Sequence, residues 1–484
     1  MSQYQLRIHI DRGEIWAVYD TPVIDGAVTE PVPLTNDPLR LRTISTLEAW
    51  LRRDEYLYGT MPPGTTGIVP DTVEVLGRHL YELMLSNDVG KRLQTAVAEV
   101  PKGETLDVHI IFGEEADRYA TLPWELLHMP DDLNADGYFL ATETKLVLSR
   151  HLNPPIEQET RVRHGSLVRV MLVNAIPQDT PGFDKENGVF TDLTAALGQK
   201  AEWLQVYTAN AWDEDFISTT LSKTPADIVH IVGVCRATAS GSLLLVPDPA
   251  SETGTTWLNA DRIVSTLTGE PDTVPQLVVL HLCERHQTKG DTQPFSENFE
   301  RLAPSLIKEN VAAVVAMQYP MARETAVPFL THFYSLLADA KPIGHAVQLA
   351  RRRMFTEHRE RRFFGTPVLY MQSFDGSLIN TQPAAAATKP PPPPPPAPPA
   401  TAPSRETPQQ LVLDTIEGYL LLEEDDPDGP SELVQEVTVW VRQTSWPPTF
   451  AAAWQTLRLR ARNDQRPELQ PLYRTISRAL RERW

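Results

Sequence analysis

Two cysteines, Cys235 and Cys283, are the side chains in this 484-residue chain with the greatest potential for covalent chemistry. Two thiols are too few for a disulfide framework, and neither has the neighbouring ligand pairs a structural zinc needs. Each is therefore an unbridged thiol or a reactive one. A thiol with its ordinary pKa near ~8.5 attacks a carbonyl well at neutral pH only beside an imidazole or a cation. His281 lies two positions before Cys283, so on a regular strand it shares a face with the thiol, while His286 lies just beyond, placed to fold back from the loop. Each residue also has a plainer reading: His281 as a satisfied core imidazole, His286 as an exposed loop residue, Cys283 as a small buried hydrophobe.

The elements that must position these residues alternate between strand and helix. Short apolar, β-branched runs at residues 167–173, 228–232, 277–282 and 311–317 read as strands. Residues 184–204, 213–222, 295–309, 323–337 and 344–355 read as helices. Near-continuous apolar strands imply a mostly parallel sheet with helices on both faces, and ligand chemistry on such a sheet belongs at the carboxyl ends of the strands. One strand leads into Gly233 and another into Cys283, which places those two residues near each other at one edge. Residues 1–110 are more mixed. Gln5–Ile10 and Glu14–Tyr19 alternate like a hairpin joined at Asp11–Gly13, Thr72–Leu85 reads as an amphipathic helix, and Asp107–Phe112 as a strand. This part reads as a subdomain packed on the sheet.

Five motifs follow one another along the chain: Leu122–Leu127 (LPWELL), Ala226–Gly233 (ADIVHIVG), Val278–Glu284 (VVLHLCE), Ala313–Gln318 (AVVAMQ) and Phe364–Tyr370 (FGTPVLY). Together they resemble the CHAT family of the caspase and separase clan of cysteine peptidases, from about residue 70 to residue 376. The resemblance implies a caspase-like three-layer α/β fold over residues 111–380 bearing a cysteine–histidine dyad. In the family, the strand ending His-x-x-Gly continues with a catalytic His-Gly, and the following strand ends in the nucleophilic cysteine. Cys283 matches the nucleophile, and His230 matches the family's first, non-catalytic histidine. The catalytic histidine falls on Val234 and its following glycine on Cys235. Valine neither accepts a proton nor supplies a charge, and a β-carbon at position 235 opposes the tight turn whose amide would help hold an oxyanion.

Beyond this core, residues 381–407 form a proline-rich linker that includes seven consecutive prolines, Pro390–Pro396. Polyproline II backbone offers no amide donors to a sheet or helix and acts as a semi-rigid spacer. Residues 408–484 read as a small all-α domain of about four helices. Glu423, Glu424, Asp425, Asp426, Asp428, Glu432 and Glu436 crowd its first half, and Arg458, Arg460, Arg462, Arg466, Arg474, Arg478, Arg481 and Arg483 its second. Either the halves neutralise each other or they expose opposite faces to a partner. In size and placement the domain is similar to the effector-associated adaptor modules of prokaryotic conflict systems.

Composition narrows the function classes. The chain is 41% hydrophobic and 22% charged, with a formal net charge of -19, which argues against nucleic acid or an anionic membrane as a partner. No apolar run is long enough for a membrane span and the N-terminus lacks signal-peptide character, so the cytoplasm is the expected compartment. No cofactor or metal is expected. The expected function is a protease-like scaffold that works by binding, as a regulatory component of a bacterial defence or signalling system. Its partner would be a protein, engaged through the C-terminal helical domain, with a co-encoded effector or substrate as the candidate. The alternative is an active endopeptidase in which His281 or His286 activates Cys283.

Overall fold

The computed structural model describes residues 4–23, 26–34, 37–51, 69–113, 116–131, 134–152, 163–164, 168–177, 184–199, 204–238, 241–269, 273–284, 296–319, 321, 323–357, 363–374, 376 and 379–380. The proline-rich linker, the C-terminal helical domain and His286 lie outside the described residues.

Alternation of apolar and polar residues makes the first hairpin. Strand β1 (Tyr4–Asp11) buries Leu6, Ile8 and Ile10, and β2 (Glu14–Asp20) buries Ile15, Ala17 and Tyr19. The turn between them carries positive φ at both Arg12 and Gly13, the twist that tight hairpins require. The remaining long strands are β3 (Leu106–Phe112), β4 (Leu146–Leu152), β5 (Val168–Asn174), β6 (Leu204–Ala209), β7 (Ile228–Thr238), β8 (Gly241–Pro247), β9 (Thr255–Asn259), β10 (Leu277–Glu284), β11 (Ala313–Met317) and β12 (Pro367–Met371). They join the hairpin in one sheet, ordered β6-β5-β7-β10-β11-β12-β4-β3-β1-β2, with β8 and β9 branching from β7. The front part of the chain is therefore not a subdomain laid on the sheet. Its strands continue the sheet edge to edge, because β1 pairs parallel with β3 through backbone hydrogen bonds from Tyr4 to Ile10.

Most neighbours are parallel, and the direction reverses where β12 meets β11 antiparallel. The amino ends of β3 and β4 consequently lie at the same end of the sheet as the carboxyl ends of β7 and β10. Across β5, β7, β10 and β11 both faces are apolar. Helices α1 (Pro38–Leu51), α2 (Val69–Met84) and α3 (Asp88–Glu99) belong to the front part of the chain, and α4 (Asp184–Gly198) and α8 (Arg323–Ala338) cover the face of Val170, Val232, Val279 and Val315. Helices α5 (Glu214–Lys223), α6 (Ala260–Thr268) and α7 (Ser296–Lys308) cover the face of Val229, Ile231, Val278 and Leu280. The fold is the expected three-layer α/β architecture. Its edge strand β6 begins at Leu204, the last residue of the helix expected from sequence, and runs through residues 205–209, to which the sequence assigns no element. Gln205 and Thr208 face solvent there, so strand periodicity is weak, and pairing with β5 decides the outcome.

One buried charge cluster ties the two directions of the sheet together. Glu125, in a short turn of helix at Trp124–Leu126, receives Nε of Arg150 on β4 at 3.1 Å and a second, shorter bond from the same guanidinium. Gln318, just past β11, donates to Glu125 at 3.1 Å and to the Gly365 carbonyl. Arg351, on helix α9 (Ile343–Glu357), lies 3.7 Å from Glu125 and donates to the Pro367 carbonyl at 2.7 and 3.1 Å. All three charged residues are at most 2% exposed. Burial, opposed by Glu125 and reinforced by Arg150, lowers the Arg351 guanidinium to about 10. A β-carbon on Gly365 would sit 2.1 Å from Leu126, so the segment carrying Glu125 closes onto backbone that only glycine leaves open.

Removing one member leaves uncompensated buried charge. Glu125→Ala is expected to lower unfolding free energy by about 3–5 kcal/mol, read from the urea midpoint, and a loss under about 1 kcal/mol would show the cluster to be peripheral.

Candidate functional site at the carboxyl ends of β7 and β10

The register places Val234 directly opposite Cys283 and Cys235 opposite Glu284. The five sequence motifs thus divide by role. Two of them form this strand pair, while the other three supply Glu125, Gln318 and the Gly365–Pro367 backbone of the buried charge cluster.

The local backbone differs from the sequence expectation in one respect. From sequence the strand beginning at Ile228 runs to Val232, and the family resemblance implies a tight turn at position 235. Instead β7 runs through Val234 and Cys235 to Thr238, and the same residues form an antiparallel ladder with β8, Val234 opposite Leu245 and Cys235 opposite Leu244. Neither residue carries the positive φ seen at turn glycines. The physical cause is a run of strand-forming residues, reinforced by the hairpin of β8 and β9, which presents a full edge to pair against. Gly233 is needed within that strand for a different reason. A β-carbon there would meet Leu244 at 2.8 Å, Leu282 at 3.2 Å and Ala175 at 3.3 Å.

Val234 is 1% exposed and packs in the apolar cluster with Val232 and Leu245. Cys235 is buried as a thiol on the opposite face, among Leu244 and Leu282. Cys283 occupies the penultimate position of β10. His281, two residues earlier on that strand, is 1% exposed, and neither ring nitrogen has a hydrogen-bond partner. Burial lowers its pKa to about 4, so the ring is neutral at physiological pH. His230 on β7 is a packed residue that bonds locally: its Nδ1 lies 2.9 Å from the Tyr334 hydroxyl, with the two rings stacked at 5.9 Å. Burial, then the neighbouring His281, pushes the His230 pKa well below the usual imidazole range. Among the described residues no group of histidine, cysteine and acidic side chains is placed to hold a metal ion.

A family model, CHAT domain, matches residues 74–406. The chain belongs to the CHAT domain family. No curated protein matches it. Among solved structures, the CHAT chain is similar to the Arg-specific cysteine proteinase gingipain R, at 11% identity and TM-score 0.34, covering 72% of this chain and 79% of that one. It is similar to the Saccharomyces cerevisiae separase–securin complex at 7% identity and TM-score 0.42, covering 76% of this chain and 30% of that one. A complex of the Porphyromonas gingivalis RgpB pro- and mature domains matches at 10% identity and TM-score 0.33, covering 70% and 77%. The chemistry of this CHAT domain is read from its own residues.

The signal that sequence reading missed at this site is the length of β7. Residues 234–238 have strand-compatible composition, but the glycine before them reads as a stop.

His281 makes a stability prediction whose sign is fixed by its lowered pKa. The folded ring stays neutral down to about 4, whereas the unfolded ring takes a proton below ~6.5. Its contribution to stability is therefore full above about 6.5 and lost as pH falls through that window. His281→Leu should be more stable than the wild type, and the gap should widen by about 1.4 kcal/mol per pH unit between about 6.5 and 4. Urea denaturation at pH 8 and pH 5 reads this directly, and a pH-independent gap would refute it.

Proposed function

We propose that this CHAT domain has no peptidase activity and works by binding, as a protein-interaction component of a bacterial defence or signalling assembly. The observation that supports the reading is Val234, buried in the ladder directly opposite Cys283. By the family pattern a histidine belongs at that position, and the valine that stands there supplies the thiol with neither a base nor a charge. Cys235 adds to the loss. A regular strand continues where the family's glycine turn would aim an amide at an oxyanion, and its backbone is engaged on both sides by β8 and β10. The partner on this reading is a protein recognised through residues 408–484, with a co-encoded effector as the candidate, in the cytoplasm. Among the described residues no helix is long and apolar enough to cross a membrane.

A second reading keeps activity by making His281 the base, and the orphaned nitrogens of that ring favour it. The lowered pKa opposes it, because an imidazole whose conjugate acid has a pKa of about 4 draws a proton weakly from a thiol near ~8.5.

Iodoacetamide labelling of Cys283, followed by peptide mass spectrometry across pH 5–10, separates the two. The binding reading expects a single rise centred at or above about pH 8.5, and labelling that is already maximal by pH 7 would overturn it. Cleavage of a co-encoded partner that disappears in Cys283→Ala would overturn it as well. The paired substitution Val234→His, Cys235→Gly should raise the labelling rate at pH 7 by about tenfold or more, by placing an imidazole one strand spacing from the thiol.

A further inference from the structure

The two ends of the main sheet are finished differently. Beyond β2, the short pieces Ala27–Val28 and Val32–Pro33 pair antiparallel with Val18 and Tyr19 and with Glu14 and Ile15, so that end is covered by backbone and carries a proline. At the other end, β6 pairs with β5 in an unbroken ladder from Leu204 to Ala209, and among the described residues no strand pairs with its outer side. Its sequence, LQVYTA, contains no charge and no proline. Edge strands of soluble proteins are ordinarily blunted by lysine, proline or a bulge, because a row of unpaired amides and carbonyls is a template for another chain. This edge has none of those devices.

The side chains along the edge narrow what can pair with it. Leu204 and Ala209 are buried at the two ends of the strand, Gln205 and Thr208 are exposed, and Val206 and Tyr207 are half-buried between them. That order of exposure reads the same in both directions, so the strand matches a reversed copy of itself. Just past the strand, Trp212 is 5% exposed and its indole N–H has no acceptor, while Phe216, in the first turn of α5, is 49% exposed. The chain carries a net charge of -19, so most of its surface repels a second copy, and an uncharged strand is where two copies meet without that cost. Of the acids that follow, Asp213 caps α5 through the Phe216 amide at 3.0 Å, and Glu214 is paired with Arg262 at 2.6 Å.

We infer that β6 pairs antiparallel with β6 of a second copy of this chain, joining the two sheets across a two-fold axis perpendicular to them. Such an axis keeps each face of the sheet on its own side, so residues opposed across it are an even number of positions apart. Two registers satisfy this at the centre of the strand. In one, Val206 meets Val206 of the second copy, Leu204 meets Thr208 and Gln205 meets Tyr207; in the other, Tyr207 meets Tyr207, Val206 meets Thr208 and Gln205 meets Ala209. Both set apolar or aromatic side chains together at the middle and bring no like charges into contact. A six-residue ladder covers less area than a permanent dimer needs, so the association is reversible and depends on concentration. Because β6 is remote in the strand order from Cys283, with β5 and β7 between it and β10, the inference does not depend on whether that thiol is reactive.

Sedimentation velocity of the full chain across protein concentration tests it, with a dimer dissociation constant expected at or below about 100 μM. Gln205→Lys combined with Thr208→Lys changes exposed positions only, so the variant should keep the circular dichroism and urea midpoint of the wild type while its dimer weakens by at least tenfold. A disulfide separates this contact from association through the rest of the chain, and it remains informative if the paired lysines disturb folding. In a Cys283→Ala background, Val206→Cys or Tyr207→Cys should crosslink two copies on mild oxidation, because residues paired on the axis lie about 4.5–5.5 Å apart at Cα, within disulfide reach. The position that crosslinks marks the register. Val23→Cys, at a position 92% exposed, should not crosslink above background. A wild type that stays monomeric throughout, a folded lysine variant that dimerises as tightly as the wild type, or crosslinking at Val23→Cys equal to that at positions 206 and 207 would overturn the inference.

Discussion

Glu125 is the charge on which the arrangement of this protein turns. Its carboxylate lies between the guanidiniums of Arg150 and Arg351, and Gln318 bonds to it from the end of β11. Buried ions in a low-dielectric interior tolerate only geometry that satisfies them, so this contact fixes four elements at once: the Trp124 turn, β4, β11 and α9. It lies where the sheet changes direction, between β11 and the antiparallel β12. Three of the five motifs that carry the family resemblance contribute to it. Those residue types are therefore explained by a structural constraint, and their presence says nothing about whether the protein cleaves peptides.

The strand pair β7 and β10 is continuous across Val234 and Cys235. Val234 is β-branched and favours continuing the strand. The additional ladder with β8 occupies the backbone from Val234 to Thr238. The side chain and the main chain thus act in the same direction, toward a closed sheet.

Imidazoles held neutral by burial recur across the sheet. His109, His151, His230 and His281 all have lowered pKa values with desolvation as the largest cause. Their environments differ in consequence. His230 and His281 sit beneath helices, where an unpartnered nitrogen is a cost to folding, whereas His109 borders a cavity.

Much of the core was legible from residue order. Continuous apolar runs such as Val278–Leu280 specify strands covered on both faces, and the alternation of β1 and β2 specifies a half-buried hairpin. Those signals are local, since the side-chain period of a strand or helix is written into a few consecutive residues. The position of Cys283 at the end of its strand was legible for the same reason.

What only the tertiary structure decided is everything that depends on residues distant in the chain. The front strands join the sheet because β1 finds β3 a hundred residues on, and β7 outruns its glycine because β8 returns to pair with it. Glu125 reads as an isolated acid until Arg150, Gln318 and Arg351 surround it, and Asp107 reads as an ordinary strand residue until the start of α9 closes a cavity over it. A sequence states the periods of its elements, but burial, charge compensation and enclosed space arise only when the sheet brings separate elements together.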